Sequence, residues 1–215
     1  MSRKGISLTS VLKKYSLNPE QITAIESIKH NKITVLIGAA GTAKSFTAVY
    51  AALRLLTADN DFDAVSLTRP MVTTEKMGFL PGTASDKFSP YLAPLMEFFN
   101  KFGDSGSATY ESLVMADKVR ERPLAFMRGT TIEDEILIAD EAQNMTSDQM
   151  LMVLTRISKT GKLIITGDGA QDDLKNGDSG LSRVVALADR LPWIQVIEMK
   201  QNMRDPLIQE ILDNW

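Results

Sequence analysis

Five short runs constrain the fold most: KITVLIG (32–38), DAVSLTR (63–69), EILIAD (135–140), KLIITG (162–167) and IQVIEM (194–199). Each is apolar at nearly every position and rich in β-branched residues. A strand with one wet face alternates apolar and polar side chains, whereas a strand buried on both faces does not. The runs therefore predict a parallel sheet covered by helices on both sides. The intervening stretches carry helical spacing. SFTAVYAALRLLTA (45–58), TSDQMLMVLTRIS (146–158), opened by a Thr N-cap, and GLSRVVALADRL (180–191) each predict a helix. Alternating strands and helices define an α/β class. The series is interrupted over 71–123, where GFLPGTASDKFSPYLAP brings Gly and Pro punctuation; this predicts an insertion, helical at 92–102 and 109–121.

A chain of 215 residues suits one domain with a sizeable core. The expected organisation is a single domain over 1–215, with a helical N-terminal segment (1–31) and a core over 32–206. The formal net charge of −3 gives no overall basic field, so any contact with nucleic acid must be a local patch or be shared between subunits. The absence of cysteine excludes disulfides, thiol catalysis and thiolate metal sites, and fits a reducing cytoplasm. MSRKGISLTSVLKKY lacks a signal-peptide core, and no apolar run is long enough to span a bilayer, so the expectation is a cytoplasmic protein without a membrane partner.

The chemistry concentrates at three strand ends. VLIGAAGTAKSF (35–46) matches the phosphate-loop pattern G-x-x-x-x-G-K-[ST] at Gly38, Lys44 and Ser45, with Ala43 in place of the second glycine. A buried strand enters this stretch and an amphipathic helix leaves it. That geometry aims the backbone N–H groups of Gly38, Ala39, Ala40, Gly41, Thr42, Ala43, Lys44, Ser45 and Phe46 at phosphate oxygens. Lys44 would reach the β- and γ-phosphates, and the Ser45 hydroxyl would hold Mg²⁺. Ala43 is expected to keep a negative φ, since a methyl group is tolerated there only under that condition. In ILIADEAQ, Asp140 is the second metal-holding residue and Glu141 the one that orients or deprotonates an attacking water. In IITGDGAQ, Gln171 follows Gly167–Asp168 and can hydrogen-bond the γ-phosphate or the lytic water. A turn with an incidental lysine, a helix-capping acidic pair and a plain GDGAQ turn are the bland alternatives.

GAAGTAKS, IADEAQNMT and TGDGAQ, together with TRPMV, GFLPG, KFSPYLAPL and FMRGTTIED, resemble the ATPase core of the PhoH-like family, relatives of superfamily 1 helicases. The resemblance runs in family order from about residue 19 to 206. It implies a RecA-like P-loop NTPase domain that binds ATP with Mg²⁺ and hydrolyses it, coupled to RNA or single-stranded DNA. It also implies that Gln21, in NPEQ, reads the adenine edge; a helix-cap glutamine is the competing reading. Family members usually carry glycine where Ala43 stands. Phe46 would pack on the base or fill the core, the core being favoured. Arg204, in KQNMRDPLI, matches a late family arginine and is the first candidate for an arginine finger, with Arg128 second and a surface salt bridge as the alternative for each. With one RecA-like domain, that finger must come from another copy or hydrolysis must be slow; the first implies a homo-oligomeric ring, a hexamer by resemblance to RecA-like rings. Arg69 and Arg128 are also candidates for touching phosphate or a nucleic-acid backbone. Lys118, Arg120 and Arg122 read as a solvated helix face, His30 as a surface helix end and the methionines as core filler. Two rival functions stay open: a P-loop kinase of a small molecule, and a nucleotide-gated scaffold with negligible turnover.

Overall fold

A computed structural model describes residues 12, 15–58, 61–71, 84–102 (84–87 as backbone only), 109–169, 179–203, 207, 210 and 214. All five apolar runs are strands, within a residue or two of the expected bounds: β1 (Ile33–Ile37), β2 (Ala64–Thr68), β4 (Glu135–Ala139), β5 (Lys162–Gly167) and β6 (Ile194–Glu198). With β3 (Val119–Glu121) they form one parallel sheet in the order β3-β2-β4-β5-β1-β6. Both faces are covered, as the unbroken apolar runs require. Along β4, Ile136 and Ile138 point into one core, while Leu137 and Ala139 point into the other. The period of two thus survives in direction although every residue is buried.

Helices α1 (Pro19–His30), α2 (Lys44–Ala58), α3 (Ala84–Lys101) and α4 (Thr109–Met115) lie on the first face. There Ile25, Ile28, Leu53, Phe88, Leu92 and Phe99 close the core. Helices α5 (Ser147–Leu154) and α6 (Gly180–Ala188) cover the second face through Met150, Val153, Leu181 and Val184. Thr146 caps α5 as expected, in a reciprocal box with Gln149. His30 ends α1 on the surface beside Glu26. Among the described residues, no helix is long and apolar enough to cross a membrane.

The structure corrects the reading of the insertion twice. Helix α3 begins at Ala84 and runs through both Pro90 and Pro94, rather than starting at 92, between them. The expected helix over 109–121 stops at Met115, Asp117 turns left-handed (φ 54°), and the chain becomes β3 at the sheet edge. Lys118, Arg120 and Arg122 are accordingly not a helix face. In extended chain Arg120 and Arg122 fall on the same side, and both pair with the buried Glu135 at the start of β4, which also accepts from the Ser66 hydroxyl. A three-residue strand flanked by charges has no apolar alternation to announce it; the buried carboxylate that demands these cations lies on another strand.

Candidate nucleotide site

Every strand is parallel, so the chain segments leaving β1, β2, β4 and β5 emerge at one edge of the sheet, where α/β folds bind ligands. The segment after β1 is a tight loop into α2. Gly38 is required by close approach: a Cβ there would stand 2.1 Å from the Met199 carbonyl oxygen. The Thr42 hydroxyl and its backbone N–H both donate to the Ala39 carbonyl, which closes the turn. Lys44 is curled over the loop, with Nζ donating to the carbonyls of Gly38 (2.7 Å) and Ala39 (2.9 Å).

Ala43 departs from expectation. Its φ is 61°, in the left-handed region, not negative. That conformation costs an L-residue roughly 1–2 kcal/mol, which accounts for the glycine that the general loop pattern has at this place. The strain gives a direct expectation. Ala43→Gly removes it at some cost in unfolded-chain entropy, for a net gain of up to about 1 kcal/mol, or roughly 2–4 °C in Tm for a chain of this size. Thermal denaturation checks this, and a lowered Tm contradicts it.

Asp140 follows β4 and is buried; its backbone N–H extends the sheet by donating to Thr68 O (3.0 Å). Two hydroxyls converge on its Oδ1: Ser45 from α2 (2.7 Å) and Thr166 from the end of β5. Strand β5 stands between β4 and β1, so Thr166 fills the space between the acid and the loop. Ser45 and Asp140 are hard oxygen donors facing one point, a set that suits Mg²⁺, which takes one or two carboxylates and completes its shell with water and phosphate. Glu141 also has a left-handed backbone (φ 53°), and its Oε2 accepts from Gln143 Nε2 at 2.6 Å. Gln143 Oε1 in turn accepts the Asp168 N–H (3.1 Å), linking the ends of β4 and β5. Strain at two residues of one site is how folds hold functional groups in place.

Ala40, Lys44, Ser45, Asp140, Glu141, Gln143, Thr166, Gly167 and Asp168 line a cleft of about 60 Å³. It is the size of a phosphate and a cation rather than of a nucleotide. The sequence reading therefore named Lys44, Ser45, Asp140 and Glu141 of the polar lining but missed Gln143 and Thr166, and gave Asp168 no role. The amide in DEAQ was the available signal for Gln143; a threonine in a buried strand offers none for Thr166.

Other candidates fall elsewhere. Gln21 is buried as the third residue of α1, and its Oε1 accepts the Asn18 N–H in a capping box, so that oxygen serves its own helix. Its neighbour Glu20 was not anticipated. It accepts the N–H groups of Lys200 and Gln201, and Met203 N–H then donates to Gly41 O, so the chain leaving β6 lies against the loop. Phe46 stacks among Tyr15, Tyr50, Phe98 and Phe102, the core reading. Arg128 is exposed in the turn after Phe126, while Arg69 turns inward toward Asp140 and Glu141. Gln171 and Arg204 lie outside the described residues.

The sequence profile of the PhoH-like protein family matches residues 15–215. This chain belongs to the PhoH-like protein family. It is 36% identical over 219 residues to a PhoH-like protein of Mycobacterium tuberculosis (strain ATCC 25618 / H37Rv), covering 100% of this chain and 60% of the relative. It is 38% identical over 195 residues to one of Bacillus subtilis (strain 168), covering 89% of this chain and 60% of the relative. The chain thus spans about 60% of the length of these relatives. Among solved structures, the Pyrococcus furiosus Hef helicase domain superposes with a TM-score of 0.52 at 12% identity, over 88% of this chain and 39% of that one. At that identity the likeness is one of fold: this PhoH-like chain has the P-loop architecture of a helicase domain.

Proposed function

We propose that this PhoH-like chain binds ATP with Mg²⁺ and hydrolyses it, and that hydrolysis is coupled to RNA or single-stranded DNA. The observation that carries the reading is Glu141, a carboxylate fixed by its backbone and by Gln143 at the mouth of the cleft that holds Lys44, Ser45 and Asp140. A carboxylate there can take a proton from a water beside the bound phosphates. That favours water as acceptor over the small-molecule acceptor of a kinase.

The steps follow from the contacts. Lys44 exchanges two neutral carbonyl acceptors for phosphate oxygens, a stronger charge-assisted pairing. The loop N–H groups and the N-terminus of the 15-residue α2 add positive potential at the same point. Ser45 and Asp140 would hold Mg²⁺, which when bound neutralises charge on the phosphates. Glu141 takes the proton of the attacking water, with Gln143 and Arg69 steadying its two oxygens.

The nucleic-acid part of the proposal is supported by Phe126. Leu124 and Met127 anchor its turn in the core, yet Phe126 is 62% exposed, with Arg128 exposed two residues on. Aromatic faces interleaved with arginine suit unstacked bases. Phe126→Ala should raise the concentration of single-stranded RNA needed for half-maximal stimulation of ATPase by at least ~5-fold, the low end for one stacked base. An unchanged RNA requirement places the strand elsewhere.

Oligomerisation and a cytoplasmic setting are further parts of the proposal. Of the two candidate fingers, Arg128 is exposed in its turn and can be given to a neighbouring copy, and we take it as the finger. Mixing Lys44→Ala with Arg128→Ala subunits should then recover ATPase activity, whereas Lys44→Ala mixed with Arg204→Ala should not. Recovery with Arg204→Ala instead restores the first assignment, and recovery with neither removes the ring's rationale.

A further inference from the structure

TRPMV and KFSPYLAPL lie outside the phosphate loop and the two strand-end acids, yet Arg69 of the first and Tyr91 of the second meet at the site. Arg69 follows β2, with its side chain only 20% exposed. Its Nη1 lies 3.6 Å from Asp140 Oδ2 and donates to the Tyr91 carbonyl of α3 at 3.2 Å; its Nη2 lies 3.5 Å from Glu141 Oε1. We propose that Arg69 is a positioning residue that holds Asp140 and Glu141 together, competes with a divalent cation for Asp140, and ties the pair to helix α3 through the Tyr91 carbonyl. This rests on the reading of Asp140 and Glu141 as the metal-holding and water-activating acids.

The distances separate a firm contact from loose ones. At 3.5–3.6 Å the two carboxylates are ion-paired rather than hydrogen-bonded, so they can be released without breaking a well-formed bond. Asp140 is buried, and the guanidinium beside it compensates its charge. A divalent ion entering between Asp140 and Ser45 arrives beside the guanidinium, and the like charges repel. Arg69 then gives up Asp140 and keeps Glu141 and the Tyr91 carbonyl, which carries the base toward its working position.

The anchor is built into α3. Pro90 and Pro94 have no N–H, so the carbonyls four residues before each lose their intrahelical donor, and the helix is weakened over two successive turns. The Tyr91 carbonyl stands one residue after the second of these orphaned acceptors, within the weakened turns, and Arg69 adds a donor there from outside the helix. Cation occupancy at the strand ends is thereby felt in the insertion helix.

Charge and bridging can be told apart by substitution. Arg69→Ala removes both. Arg69→Lys keeps the charge, but a single ammonium cannot serve Asp140, Glu141 and Tyr91 together. Nucleotide-free protein is titrated with Mn²⁺ by electron paramagnetic resonance, and amide hydrogen exchange is followed over α3. Arg69→Ala should bind Mn²⁺ at least ~3-fold more tightly than the wild type, and Arg69→Lys within about twofold of it, since a competing like charge is lost only in the first. Exchange around residues 91–96 should be faster in both variants. In a folded Arg69→Ala protein, Mn²⁺ affinity equal to or weaker than the wild type's (no binding by either included) overturns the proposal, and so does unchanged exchange in α3. Should the wild type release no phosphate from ATP, the hydrolytic reading fails on its own, while these two measurements still decide the role of Arg69.

Discussion

Lys44→Ala is expected to weaken ATP binding by about 10- to 100-fold and to remove nearly all hydrolysis. The size follows from losing one charge-assisted contact to phosphate, worth about 1.5–3 kcal/mol. The fold should survive, because Lys44 Nζ donates to the loop carbonyls of Gly38 and Ala39, which water can satisfy in its place. Calorimetry of ATP against the variant gives the affinity directly. Unchanged binding would mean that the loop after β1 is not where phosphate sits.

Glu141→Gln separates binding from chemistry. The amide is nearly isosteric, so the left-handed backbone and the contact with Gln143 can persist. Ser45 and Asp140 are untouched, and ATP should bind with little change. The turnover number should fall by at least ~10²-fold, the usual scale for a positioned general base. A variant that turns over at the wild-type rate moves the base to another group. The contrast with Lys44→Ala is informative: one substitution loses affinity and rate together, the other loses rate alone.

The sheet was legible in the sequence because burial on both faces leaves a local mark, an apolar run four to six residues long. The strand ends were legible for the same reason, since a polar residue directly after such a run must sit at the sheet edge. Asp140 and Glu141 were found in this way, and Lys44 and Ser45 by the phosphate-loop pattern that follows the run at 32–38. What escaped depends on partners far along the chain. β3 exists because Glu135, on β4, needs Arg120 and Arg122, and no window around 119–121 contains that carboxylate. Thr166 looks like any strand threonine until Asp140 faces it. Gln21 sits in a sequence that fits both an adenine contact and a capping box, and only the structure places its oxygen on Asn18 N–H. Ala43 misled because a negative φ is the default for alanine; the tight closure of Thr42 on Ala39, followed at once by the first turn of α2, imposes the opposite sign.

Phosphate release from ATP by the purified wild-type chain, measured with Mg²⁺ and in the absence of any acceptor but water, tests the central claim most directly. Hydrolysis should proceed at a steady rate, vanish when Mg²⁺ is chelated, and rise when single-stranded RNA or DNA is added. ATP bound tightly with no phosphate released under any of these conditions would contradict it, and would leave the site as a nucleotide-gated binding module.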